Sequence, residues 1–158
     1  MVVEGEVFGM NIYGSLIVLH LLGACVWVGG HVVLACSILP QGAKSRDASL
    51  SYRIESAYSN IGIPALLLEV VTGFLLAYLH LPDFGSWLDF GNPMGRMIGL
   101  NLVLLLITVA LVIDLRFRLF PKVESYGLGL LKWHVALITF VSLLLVFVGA
   151  SFRIGWLY

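Results

Sequence analysis

The sequence predicts an all-α integral membrane protein, an up-down bundle of four helices with both termini on the outer side. Three observations lead there. Of 158 residues, 60% are hydrophobic and 11% charged, with a mean hydropathy of +1.02; a soluble domain carries about twice that charged share. The apolar residues gather into four blocks, each near or above the roughly 20 residues that cross a bilayer. The basic residues gather on one side of those blocks.

The first span is expected over about 12–39, with Pro40 ending it. The polar stretch QGAKSRDASLSYRIESAYSN follows, part of it readable as a helical extension into the second span, 61–80. Pro64 then falls in a first turn, where proline is tolerated. LPDFGSWLDFGNPMG, rich in Pro, Gly and aromatics, reads as an interfacial loop. The third span is expected over 97–115 and the fourth over 130–152, joined by RFRLFPKVESYGLG. All four form a single transmembrane domain, 1–158. The short connections make sequential helices antiparallel.

Lys44, Arg46, Arg53, Arg116, Arg118, Lys122 and Lys132 lie on the side reached after spans one and three, and Arg96 and Arg153 on the other. Seven basic residues against two place the first and third connections in the cytoplasm. A multi-pass protein of the cell inner membrane is the expectation. The start MVVEGEVFG carries Glu4 and Glu6 where a signal peptide has a basic region, so no removable leader is expected. Nine basic residues balance nine acidic ones, which argues against a nucleic-acid partner. Cys25 and Cys36 lie about 16 Å apart along one helix, too far for a disulfide within the chain.

The chain has four histidines. His20 and His31 are eleven residues apart, which on a helix leaves them about 20° apart in angle and about 16 Å apart in depth. His80 ends the second span on the outer side, and His134 begins the fourth on the inner side. Each membrane half is thus expected to receive two histidines from different helices, His20 with His80 and His31 with His134. Such pairs suit bis-histidine haem, two haems b per chain. Gly23, Ala24, Gly73 and Ala77 would give a macrocycle room, and Arg96, Arg153, Lys132, Arg116 and Lys122 would meet its propionates. The alternative ligand is copper, which imidazole and thioether both suit; Met10, Met94 or Met97, all expected near the outer surface, could join His20 and His80. The cysteines follow the histidines by five residues and point off their face, as packing residues. No HExxH or CxxC pattern supports zinc hydrolysis.

Glu69 sits mid-span in the second helix, eleven residues before His80. A carboxyl there is a functional candidate by default, to bond a histidine, relay a proton or contact a quinol; its plainer role is a neutral acid satisfied by a neighbouring helix. Asp114 is expected to pair with Arg116 or Arg118. Trp87, Trp133 and Trp156 read as interfacial belt residues, whereas Trp27, one turn before His31, is expected to pack against a ring or a helix.

The stretch HLLGACVWVGGHVVLACSILP resembles the first helix of the copper-resistance protein D (CopD-like) membrane domain, with its histidine, W-V-G-G and closing L-P. Spans two and three are similar in outline to that family, with T-G in the second half of one and a basic residue before the L-rich other, ending near R-x-x-P. The chain also looks like the HemJ-type protoporphyrinogen oxidases, small four-span haem b proteins sharing H-x6-W; Arg96 stands where those carry a lysine, and His31 lacks a counterpart. The first resemblance implies copper handling, the second haem b. The paired histidines lead to a di-haem membrane cytochrome as the first expectation, with a quinone or small redox molecule as partner and Glu69 the residue for substrate chemistry. CopD-like copper transport and HemJ-like oxidation are the alternatives. Whether the chain is a membrane oxidoreductase, and whether copies associate, the residues leave open.

Overall fold

The computed structural model describes residues 2–44, 48–119, 121 and 123–156. In lipid no water is at hand to bond peptide groups, so an apolar chain satisfies them within helices. The chain does so in four: α1 (Val2–Lys44), α2 (Ala48–His80), α3 (Pro93–Asp114) and α4 (Val123–Ile154). Segments Asn11–Ser37, Arg53–His80, Pro93–Leu119 and Gly129–Phe152 are long and apolar enough to cross a membrane. Their outward faces carry bare aliphatic and aromatic side chains, among them Val18, Leu22, Leu67, Leu106 and Phe140, as contact with lipid requires.

Both prolines of the first hairpin lie inside helices. Pro40 does not end α1, which continues to Lys44. The ring removes a single N–H from the ladder near the helix end, and the last turn forms beyond it. Pro64 sits in the body of α2 rather than in its first turn, because the preceding polar stretch is itself helical. That stretch is held by one face: Ile54 and Tyr58 pack on the core and Glu55 is buried. Spacings of i, i+4 from Ile54 and i, i+3 from Glu55 bring both to the side of Tyr58, which meets α1.

The α2–α3 connection is folded rather than an open loop. Asp83 caps a short 3-10 helix, Phe84–Leu88, accepting bonds from Gly85 N–H (3.1 Å) and Ser86 Oγ (2.6 Å). Trp87 turns inward to donate from Nε1 to Leu81 O at 2.7 Å and is buried, not an interfacial belt residue. Asn92 caps α3 and Pro93 opens it, where a missing N–H costs nothing. Gly95 lets α3 press against the carbonyls of Ser86 and Asp89, which a Cβ would overlap. A π-helical turn, Leu115–Leu119, follows α3 and buries Leu115 and Leu119.

α1 packs along both α2 and α4, and α3 packs along α4. The core joins Trp27 and Leu34 of α1, Ala65 and Leu66 of α2, Leu115 and Leu119, and Leu131, Val135 and Ile138 of α4. Polar bonds pin α1 to α4 inside it: Trp27 Nε1 donates to Ser142 Oγ (3.0 Å) and Thr139 Oγ1 to His31 O (3.2 Å). The α1–α2 seam positions the site.

Candidate functional site

In the middle of that seam a histidine faces a carboxyl. His20 of α1 lies across from Thr72 and Glu69 of α2, with Nε2 3.8 Å from Glu69 Oε2. Two glycines make the approach. His20 Cε1 lies against Gly73, where a Cβ would be 3.2 Å away, and Glu69 Cγ lies against Gly23, where a Cβ would be 3.0 Å away. Each helix thus offers a small residue beneath the other's polar side chain. In a membrane, where apolar packing alone does not drive helices together, such close seats are how helices associate.

The hydrogen bonds fix the ring's state. Thr72 Oγ1 donates to Leu68 O at 2.6 Å. With its proton so placed, the hydroxyl accepts from His20 Nδ1–H at 2.9 Å. Nε2 then carries the lone pair, 3.8 Å from Glu69 Oε2. Glu69 Oε1 is buried with no hydrogen-bond partner among the described residues. Nε2 and Oε2 are too far apart for a direct bond. Two electron-rich atoms facing each other in a low-dielectric interior call for a positive charge between them, a proton or a cation. First-row metal ions bond imidazole nitrogen and carboxylate oxygen at about 2.0–2.2 Å, so an ion bent between these two atoms spans the gap.

The other expected site residues lie elsewhere. His80 donates from Nδ1 to Leu76 O (2.8 Å) and meets Tyr13 Oη at 3.3 Å through Nε2. Its partner Tyr13 and His20 are seven residues apart on α1, which places the two histidines about 10 Å apart in depth. His31 donates from Nδ1 to Trp27 O (2.9 Å), packs tilted against the Trp27 ring at 4.2 Å and meets Tyr58 edge-on at 5.1 Å. His134 engages both nitrogens, Nδ1 on Leu130 O (3.1 Å) and Nε2 on Asp114 Oδ2 (2.8 Å). Asp114 also pairs with Arg118 at 3.2 Å, as expected. Among the described residues no hydrogen bond or ring contact joins His20 to His80 or His31 to His134.

Gly23 and Gly73, expected to leave room for a macrocycle, seat Glu69 and His20 instead. Ala77 lies near the C-terminal end of α2 and its carbonyl accepts from Leu81 N–H. Arg96 is in the first turn of α3, and Lys132 is half-buried on α4. The side chains of Arg153 and Met10, and residues Arg46 and Lys122, lie outside the described residues. Met97 is fully buried in the bundle. A bis-histidine haem needs two imidazoles on opposite sides of one iron with a ring's width clear between helices; residues so placed do not fit that group.

Thr72, which orients His20, escaped the sequence reading, although T-G in VVTGF marks the spot where α2 seats the ring. Glu55, Tyr58 and Ser59 escaped it too, because they fall in a stretch read as a polar connection. Among the described residues no three His, Cys, Asp or Glu side chains converge as a metal cage. His20 and Glu69 bring two donor atoms to 3.8 Å of each other, with the Thr72 hydroxyl behind the ring.

Residues 52–152 match the sequence profile of the family described as copper resistance protein D. No curated protein and no solved structure matches the chain.

Proposed function

The chain belongs to the copper resistance protein D family, a multi-pass membrane protein, and on that footing we propose that it moves copper across the bilayer through the α1–α2 seam. His20 Nε2 and Glu69 Oε2 form the station at which the ion, here cargo, pauses. The observation that carries this reading is the 3.8 Å gap between a lone pair and a carboxyl in mid-membrane. An imidazole nitrogen with oxygen donors suits Cu(II). Thr72 does what partners behind a ligand histidine do: it holds Nδ1–H and so leaves Nε2 for the metal.

The small number of donors supports passage over storage. A carrier site must bind well enough to admit an ion and weakly enough to release it, and two protein donors leave the remaining positions to water. Trp27, Ala65 and Leu66, all buried, close the seam beyond Glu69 and separate the station from the other membrane half. The seven basic residues on one side argue for both termini outside, with His20 nearer the outer face.

The test is copper uptake by protein reconstituted in liposomes. His20→Ala and Glu69→Gln are each expected to lower the initial rate about tenfold or more, while His80→Ala and His134→Ala stay within about twofold. Uptake equal to the parent protein's in both seam variants sinks the reading.

A further inference from the structure

The same seam holds a second buried carboxyl that the copper station does not use. Glu55 of α2 is 3% exposed, and its Oε1 accepts from Ser59 Oγ at 3.1 Å. Its Oε2 is fully enclosed and has no partner among the described residues. Glu55 lines a cavity of about 20 Å³ whose other polar walls are His31 of α1, Tyr58 and Ser59 of α2, and Arg116 of the turn after α3. That volume holds one water.

We propose that this cavity is a proton-exchange site, in which one water bonds Glu55 Oε2 and carries protons between the carboxyl and the aqueous phase on the Arg116 side. A carboxyl oxygen left unbonded in a membrane interior costs several kcal/mol. A single water removes that cost, and the walls supply the two or more partners such a water needs. His31 offers a lone pair at Nε2, since Nδ1–H is committed to Trp27 O. Tyr58 is already donating to Trp27 O at 2.7 Å and can accept. Arg116 is exposed and lines the cavity, and the exposed Arg118 and Arg53 lie two residues along the chain from Arg116 and Glu55. Among the described residues no titratable group of α4 lines the cavity.

The proton is favoured over a metal ion by size, because the space admits a water but not an ion with its own shell. The step is an acid–base exchange. The O–H bond of the Glu55 carboxyl breaks, its electron pair stays on the oxygen, and the proton adds to a lone pair of the water; reversal restores the acid, and nothing is oxidised.

Glu55 and Glu69 are fourteen residues apart on one helix, about 21 Å in depth and within about 40° in angle. Trp27, Ala65 and Leu66 lie between them. Proton exchange at Glu55 therefore occurs on the far side of the apolar block from the copper station. That placement relative to copper, though not the proton site, rests on the copper reading.

Infrared difference spectra of the intact protein, recorded across a pH series in H2O and D2O without copper, test the site. A protonated-carboxyl C=O band that shifts in D2O is expected in the parent protein. It should be absent from Glu55→Gln, shifted in Ser59→Ala through loss of the hydroxyl bond to Oε1, and retained in His20→Ala. A carboxyl spectrum unchanged by Glu55→Gln, or a Glu55 band indifferent to D2O, overturns the proposal. Adding copper separates the two readings: a Glu55 band that behaves as described while no band responds to copper leaves the proton site standing and removes the copper station alone.

Discussion

At the scale of single residues, the seam is organised by which nitrogen of His20 keeps its proton. Thr72 holds Nδ1–H and frees Nε2, so Thr72→Val should weaken copper binding about tenfold or more without removing a ligand. A competition titration with a chelator of known affinity reads this directly, and an unchanged affinity contradicts the role. The helical spacing correctly put His20 and His31 on one side of α1: both face α2, at Thr72 and Tyr58. What spacing alone does not contain is the register between two helices. Glu69 and His80 are eleven residues apart on α2, yet the two helices meet so that His20 lies by Glu69 while His80 meets Tyr13. Register was set by the glycines at 23 and 73, read in the sequence as open room and used in the fold as seats.

At the scale of elements, local chemistry fixes the α2–α3 turn more tightly than its composition suggested. Gly95→Ala forces a Cβ onto two backbone carbonyls that cannot move aside, and overpacking of this kind costs about 1–3 kcal/mol. Denaturant unfolding in detergent micelles should show that loss, and a stability equal to the parent's would refute the close packing. The cap at Asp83 adds a pH dependence. Its carboxyl is held below the usual aspartate range, first by the Ser86 hydroxyl and then by Gly85 N–H. A lowered value in the fold means that the stabilisation is present above the ordinary value of about 3.9 and is lost as pH falls through the lower one. Tryptophan emission should report loosening of the Trp87 turn in that acid window, and Asp83→Asn should abolish the pH dependence; a turn equally acid-sensitive in the variant contradicts it. Element ends were the least legible feature. Pro40 and the polar stretch after it looked like a stop, but a proline in the last turn removes one bond, and the face formed by Ile54, Glu55 and Tyr58 carries the helix on.

At the scale of the whole molecule, the four spans were legible because lipid leaves an apolar chain of this length few options. Their order of packing was not, since α1 at the centre of α2 and α4 follows from side-chain fit and not from hydropathy. In the proposed function, an ion enters one half, pauses between α1 and α2 at His20 and Glu69, and is separated by the buried residues around Trp27 from a carboxyl in the other half. X-ray absorption at the copper edge of the purified, copper-loaded protein tests that account most directly. It predicts one imidazole with oxygen donors in the parent protein, loss of the imidazole signal in His20→Ala and altered oxygen scattering in Glu69→Gln. An imidazole signal that persists in His20→Ala, or a shell of several histidines, would contradict it.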